Sequence, residues 1–295
     1  DDCPIAWKAG QRVIVLVHGL GGCHGSSYMV RLASRFYDRG CRVFRMDMRG
    51  CGAGLLRAAG VFHADRNEDL RLALQHVGAL CPGSGISVCG FSLGANLTLK
   101  MLAISADRLP SGLDSAFAVA PPIDLALCCR MLSRGWGRLY DSHFARMIWR
   151  DFDARRNRLV RADQVRIDRP PKSLFDFDTH VTVPLGGYKS VDHYYESASA
   201  GPDLATIQVP SGILTAEDDP IVPLCVVEDV ALSSSTSLVV AEGGGHLGFV
   251  ADQRSSPDPD GRWMDWRLLT WTAEAERHRT KRAAKESQRE YCPTT

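Results

Sequence analysis

Ser92 stands in the run Gly90-Phe91-Ser92-Leu93-Gly94, a G-x-S-x-G. The spelling alone is weak, because short motifs recur by chance. Its setting strengthens it. An apolar run, Ile86–Cys89, leads into Gly90, and a helical pattern over Ala95–Ile104 follows Gly94. A serine on a sharp strand-to-helix turn presents its hydroxyl at the edge of a sheet. Flanking glycines remove the Cβ atoms that would clash where strand and helix converge. The helix that follows turns its partially positive end toward the serine, which favours a developing anion and makes the Leu93 N–H one oxyanion donor.

A serine hydroxyl is a poor nucleophile without a base. His246 is the candidate, because it follows the apolar run Ser237–Ala241 and the glycines Gly243, Gly244 and Gly245. Those glycines let the backbone carry an imidazole over the sheet edge. The imidazole in turn needs a carboxylate to fix its tautomer and stabilise its charged form. Glu217, Asp218 and Asp219 follow the apolar run Gly212–Thr215. Asp219 is favoured because the D-P-x-x-P frame of residues 219–223 stiffens its loop. Asp218 and Glu217 remain the alternatives. The order serine, acid, histidine suits a nucleophile of this kind. The chemistry expected is acyl transfer, with His246 Nε2 taking the Ser92 proton and handing it to a leaving alcohol.

A second backbone donor is expected in His18-Gly19-Leu20-Gly21-Gly22, at the Leu20 N–H. His18 is expected to brace this loop. No GK[ST] follows it, so a phosphate loop is rejected. The chemistry needs no cofactor and no metal. The ten cysteines, at 3, 23, 41, 51, 81, 89, 128, 129, 225 and 292, form no CxxC and have no histidine at ligand spacing. They read as buried reduced thiols of a cytoplasmic protein.

Strands and helices must hold these groups together. Strands are expected at Arg12–His18, Cys41–Met46, Ile86–Cys89, Ser115–Ala120, Gly212–Thr215 and Ser237–Ala241. Helices are expected at Ser26–Asp38, Asn67–Leu80, Ala95–Ile104, Pro223–Ala231 and from Trp263 onward. The alternation predicts an α/β protein with a mostly parallel, doubly wound sheet. It lapses over the 90 residues between Ala120 and Ser211, which read as an inserted helical cap. The expected division is a core of 1–120 and 205–272, a cap or lid of 121–204, and a charged, fraying extension of 273–295.

The block Arg130–Arg169 holds 11 arginines and 5 aspartates, net +6, among Trp136, Phe144, Trp149 and Phe152. A solvated helix face with local pairs, such as Asp151 with Arg155, is the favoured reading. Contact with anionic lipid head groups is the other, which would add membrane association to a cytoplasmic location. The whole chain of 295 residues has 35 basic and 34 acidic side chains, without the basic excess of a nucleic-acid binder. The longest apolar run is five residues against the roughly 20 of a transmembrane helix. The chain begins Asp1-Asp2 rather than Met, as expected of a fragment or processed product, and a removed signal peptide stays open.

Motifs over most of the chain resemble the YheT-like α/β-hydrolases, a branch of the α/β-hydrolase superfamily that includes eukaryotic lipid hydrolases. They are VHGLGG at 17–22, RMDMRGCG at 45–52, FHADRNEDLR at 62–71, GFSLGANLTLK at 90–100, PPIDL at 121–125, FDFDTHVTVPLGGYKSVDHYYESAS at 175–199, TAEDDPIVP at 215–223 and GGGHLGF at 243–249. The resemblance implies the α/β-hydrolase fold, a Ser92–Asp219–His246 triad, and hydrolysis of short- to medium-chain acyl esters or lipids. Two departures stand out. The family's two further N-terminal strands are expected to be missing here, where about ten residues precede the first strand, and Asp47 replaces a usual Asn. The same triad would serve a thioesterase, peptidase or acyltransferase. An epoxide hydrolase or dehalogenase would want aspartate at position 92. A catalytically silent binding module on the same fold is the reading from another class.

Overall fold

The computed structural model describes residues 1–167, 169–254 and 258–290. Its sheet has six strands: β1 (Val13–Val17), β2 (Arg42–Met46), β3 (Ile86–Phe91), β4 (Leu113–Val119), β5 (Ser211–Ala216) and β6 (Thr236–Ala241). They lie in the order β2-β1-β3-β4-β5-β6, and every neighbouring pair is parallel. This is the expected doubly wound α/β-hydrolase sheet. The order of winding reverses between β1 and β3, and ligands of open α/β sheets bind outside the carboxyl ends at such a point.

Side-chain alternation divides the core between the two faces. Val13, Val15 and Val17 of β1 pack on one side with Leu70, Leu74 and Val77 of α2 (Asn67–Leu80) and with Leu97 of α3 (Leu93–Ile104). Ile14 and Leu16 pack on the other with Met29, Leu32 and Phe36 of α1 (Ser27–Tyr37), and with Leu268 of a long C-terminal helix. All five β1 residues are buried, as a parallel strand covered on both faces must be.

Between β4 and β5 lie α4 (Leu125–Leu132), α5 (Gly137–Asp153), α6 (Leu174–Phe177), α7 (Val183–Gly186) and α8 (Val191–Ala198). A π-helical turn at Asp178–Thr182 joins α6 to α7. Helix α9 (Trp263–Glu290) closes the chain. Before β1, Asp2 makes an isolated antiparallel bridge to Val43 on the open edge of β2. Among the described residues, no helix is long and apolar enough to cross a membrane. None of the described cysteines is in a disulfide; Cys41, Cys81, Cys89, Cys128 and Cys129 are buried, and Cys292 lies outside the described residues.

Three sequence expectations need correction. Pro223–Ala231 is not a helix: it holds one 3-10 turn, Leu224–Val226. The β-branched pair Val226 and Val227, both buried, goes into the core in place of a helical face. Asp151 and Arg155 do not pair: Asp151 lies 3.8 Å from Arg150 instead. Nor is the extension wholly solvated: α9 runs on past residue 273 to Glu290, two of its charged side chains are engaged, and residues 291–295 lie outside the described ones. Glu276 accepts from the buried Arg12 Nε at 2.8 Å, and Arg279 donates to the Gly10 carbonyl at 2.8 Å. Arg12 also reaches Asp114 from Nη1 at 2.5 Å, so α9 is tied to the amino ends of β1 and β4. Asp265, fully buried, anchors the start of the same helix to Arg31 and Arg35 of α1 at 2.7 and 3.0 Å.

Two predictions follow from these buried groups. Glu276→Ala leaves the Arg12 guanidinium short of one carboxylate and should destabilise the protein by about 1–2 kcal/mol, read as a lower midpoint in urea. His63 is buried, and burial drives its pKa down from 6.5 to about 3. Its stabilising contribution is therefore complete above pH 6.5 and is lost as pH falls toward 3. Wild type taken from pH 7.5 to pH 5 should lose more stability than His63→Gln, by about 2 kcal/mol; equal losses would contradict the burial of a neutral imidazole.

Candidate active site

Ser92 follows β3 directly and has φ +50° and ψ −120°, the strained conformation expected of an exposed nucleophile on a strand-to-helix turn. The neighbouring glycines are demanded by contact. A Cβ on Gly90 would lie 2.5 Å from the Gly94 carbonyl oxygen and 2.7 Å from Ala95 Cα. A Cβ on Gly94 would run into the carbonyl oxygens of Val17 and His18. The first turn of α3 is thus pressed against the end of β1, and the serine is the corner between them.

The structure brings Ser92, Asp219 and His246 together from three loops at the carboxyl edge of the sheet. His246 Nε2 lies 2.8 Å from Ser92 Oγ, and Nδ1 lies 2.8 Å from Asp219 Oδ2. Asp219 Oδ1 accepts the backbone N–H groups of Ile221 at 2.8 Å and Val222 at 3.0 Å. Both oxygens therefore serve as acceptors, which leaves the proton on Nδ1 and turns the Nε2 lone pair to the serine. Asp218, the competing acid, faces away. Its Oδ1 accepts from Gly244 and Gly245 at 2.8 Å each, and so holds the glycine turn that carries His246. Glu217 makes its backbone bond to Ala241.

His18 braces the loop after β1. The Met48 N–H donates to its Nε2 at 3.0 Å, so the proton sits on Nδ1, which donates to the Gly19 carbonyl at 2.7 Å. Burial lowers its pKa and keeps the ring neutral. The Gly22 N–H also donates to the Gly19 carbonyl, at 3.1 Å. In a trans peptide the next N–H points the opposite way. The Leu20 N–H is thereby turned from the bracing ring, and among the described residues no hydrogen bond is found for it. Leu93 is handled alike: Ser92 C=O accepts from Ala95 and Asn96, and the Leu93 N–H heads α3 with no intrahelical acceptor. Leu20 and Leu93 line one cavity with Ser92 and His246.

That cavity measures about 310 Å³. Leu125 and Cys129 of α4, Ile148 and Phe152 of α5, and Phe177 of α6 give it apolar walls. It also holds groups that sequence reasoning missed. Tyr28, read only as a helix position, accepts the Gly19 N–H at 3.0 Å, and burial pushes its pKa up to about 12. Asp178 is pushed up to about 6 by burial, and accepts from Thr182 at 2.6 Å and Tyr195 at 2.9 Å. His63, Asp151, Tyr194 and Arg155 also belong to the polar lining. Tyr28 sits in a helical pattern that core packing explains equally well, and the pattern around Arg155 reads as a solvated face, so neither carried a separate signal.

Among the described residues, Cys23, His24 and Asp47 are the group able to share a metal ion, with ligand atoms within 4.8 Å of one another. Adjacent residues give no ligand spacing, and Asp47 is brought in from the loop after β2. Its carboxylate is already engaged: Oδ1 accepts from the His24 N–H, and Oδ2 from His24 Nδ1 at 2.7 Å and Ala53 N–H at 2.9 Å. These bonds explain the cluster as a clasp between the loops after β1 and β2.

Known proteins agree with this architecture. Residues 14–259 match the model of the alpha/beta hydrolase family. YheT of Escherichia coli K12 is 27% identical over 263 residues, which cover 88% of this chain and 75% of that protein. The mouse protein named phospholipase ABHD3 is 26% identical over 80% of this chain and 58% of its own length. The yeast protein named monoacylglycerol lipase is 24% identical over 86% of this chain and 58% of its own. Among solved structures, the alpha/beta hydrolase GrgF from a Penicillium species superposes with a TM-score of 0.55 at 20% identity, covering 92% of each chain. Sheet order, serine turn and motif set thus converge, and the chain belongs to the alpha/beta hydrolase family, within its YheT-like branch.

Proposed function

We propose that this hydrolase cleaves carboxylic esters through an acyl-enzyme on Ser92. The reading rests on the unbroken run of hydrogen bonds from Asp219 through His246 to Ser92 Oγ. The serine oxygen attacks the ester carbonyl as His246 Nε2 takes its proton. The carbonyl oxygen becomes an oxyanion facing the Leu20 and Leu93 N–H groups, and Asp219 stabilises the imidazolium. Collapse expels the alcohol, which takes the proton from His246. Water then enters, gives a proton to His246 and releases the acid, restoring Ser92. The apolar walls suit a short- to medium-chain acyl group or a lipid ester. Relatives named phospholipase and monoacylglycerol lipase support the ester class.

We also infer that the enzyme works against a membrane surface. At the start of α5, Trp136 is 84% exposed and Leu139 64% exposed, with Arg134 and Arg138 exposed between and beside them. Exposed apolar side chains among cations fit an anionic bilayer.

A fluorophosphonate should label wild type and leave Ser92→Ala unlabelled; an unlabelled but folded wild type would sink the reading. With p-nitrophenyl esters, Asp219→Asn should lower kcat by about 10³- to 10⁴-fold. Asp218→Asn, which only loosens the glycine turn, should cost on the order of tenfold. Equal losses would mean that the orienting acid is misassigned. In vesicle sedimentation, binding should rise with phosphatidylserine content and fall for Trp136→Ala; binding indifferent to both would dispose of the membrane surface.

A further inference from the structure

Among the described residues Arg155 is the one arginine lining the cavity, and its position is unusual. Asp141, Ala145, Ile148 and Phe152 follow one another at helical spacing along the inner face of α5. Arg155 extends that stripe one turn further, in the loop beyond the helix, and is only 4% exposed. A guanidinium has five N–H donors and no acceptor. Here Nη1 donates to the Gly60 carbonyl at 3.2 Å, and the buried Nε has no partner. Among the described residues no carboxylate lies within ion-pair distance of it; Asp151, four residues back in the same cavity wall, acts on it only through space and lies 3.8 Å from Arg150. Cys51 beside it is neutral, since burial pushes its thiol up to about 12.

Withdrawing a cation from water is costly when nothing compensates. The side chain is nevertheless given room: the guanidinium lies flat on Gly50, where any Cβ would collide with it. The Nε–Nη2 edge of a guanidinium is the fork that holds two oxygens of a carboxylate or phosphate. Asp178, which also lines the cavity, differs, because it spends both oxygens on Thr182 and Tyr195.

We propose that Arg155 is a substrate-binding residue and that the ester this enzyme cleaves carries an oxyanion group, phosphate or carboxylate, held on the Arg155 fork while its carbonyl faces Ser92. The inference rests on the ester-hydrolase reading above. It narrows the substrate class from esters in general to anionic ones, and it gives one arginine of the basic block a role distinct from the exposed ones.

Two matched pairs test it: p-nitrophenyl hexanoate against mono-p-nitrophenyl adipate, and 1-decanoylglycerol against 1-decanoylglycerol 3-phosphate. Wild-type kcat/KM should favour the anionic member of at least one pair by about 10- to 100-fold. The pair that responds tells carboxylate from phosphate. Arg155→Met should bring that ratio to about one, and Arg155→Lys should retain part of it. A wild-type ratio of one or less in both pairs, or a preference that survives Arg155→Met, overturns the proposal. Calorimetry on Ser92→Ala with decyl phosphate and decanol reads the subsite without turnover. Tighter binding of the phosphate by tenfold or more supports it, and equal affinity overturns it. Absence of turnover beside that binding preference would defeat the hydrolase reading and leave the subsite standing.

Discussion

The molecule depends on how closely the amino end of α3 approaches the carboxyl end of β1. Two carbonyl oxygens of β1's end occupy the space that any side chain on Gly94 would need. The contact does three things together. It forces Ser92 into a conformation that residues with a Cβ rarely adopt, which lifts the hydroxyl clear of the sheet. It aims the uncompensated N–H groups of α3 at the cavity. And it brings the Gly19–Gly22 loop, which continues from β1, beside the serine: a Cβ on Gly19 would lie 3.1 Å from Ser92 Cβ. Nucleophile and both candidate oxyanion donors therefore come from a single packing event at the reversal of the sheet.

His246 and Asp219 reach the same place by another route. They sit on the loops after β6 and β5, so their separation is fixed by one step of the sheet. The two strands pair in register from Ser211 with Thr236 to Ala216 with Ala241. Just past the last pair, Glu217 N–H bonds to the Ala241 carbonyl. The loops leave level with each other, and Asp218 fastens the glycine turn to its own loop before Asp219 meets the imidazole. Two adjacent acids divide the work, one holding the loop and the other the ring.

Local chemistry made much of this legible in the sequence. Asn67–Leu80 has helical spacing and a proline beyond its end, and the helix has those same bounds. The buried β1 strand was visible because a parallel strand is apolar on both faces. Glycine-bounded Ser92 and the order of its partners gave the candidate site, with Asp219 preferred to Asp218 only by the prolines after it. What stayed hidden depends on long-range packing. The valines after Pro223 could complete a helix or plug a core, and periodicity does not choose between them. The charges of Glu276 and Arg279 look solvated until Arg12, Gly83 and Gly10 are seen to lie opposite. Cys23, His24 and Asp47 meet only because β1 and β2 are neighbours.

The cap illustrates why charge counts along a sequence cannot separate solvent-facing from cavity-facing cations. Helix α5 carries arginines on several sides, and its apolar stripe is interrupted by an aspartate at one end and extended by an arginine beyond the other. Asp141 is buried but satisfied, accepting the Leu174 N–H at 2.6 Å and so fastening α5 to α6. Asp178 is likewise closed by two hydroxyls. A buried polar group whose bonds are complete stiffens the fold and has little left to offer a ligand. A buried one with donors to spare carries a desolvation cost that the fold alone does not recover. By that distinction Asp141 and Asp178 hold the helices of the cap together, while the unspent donors of Arg155 belong to whatever enters the cavity.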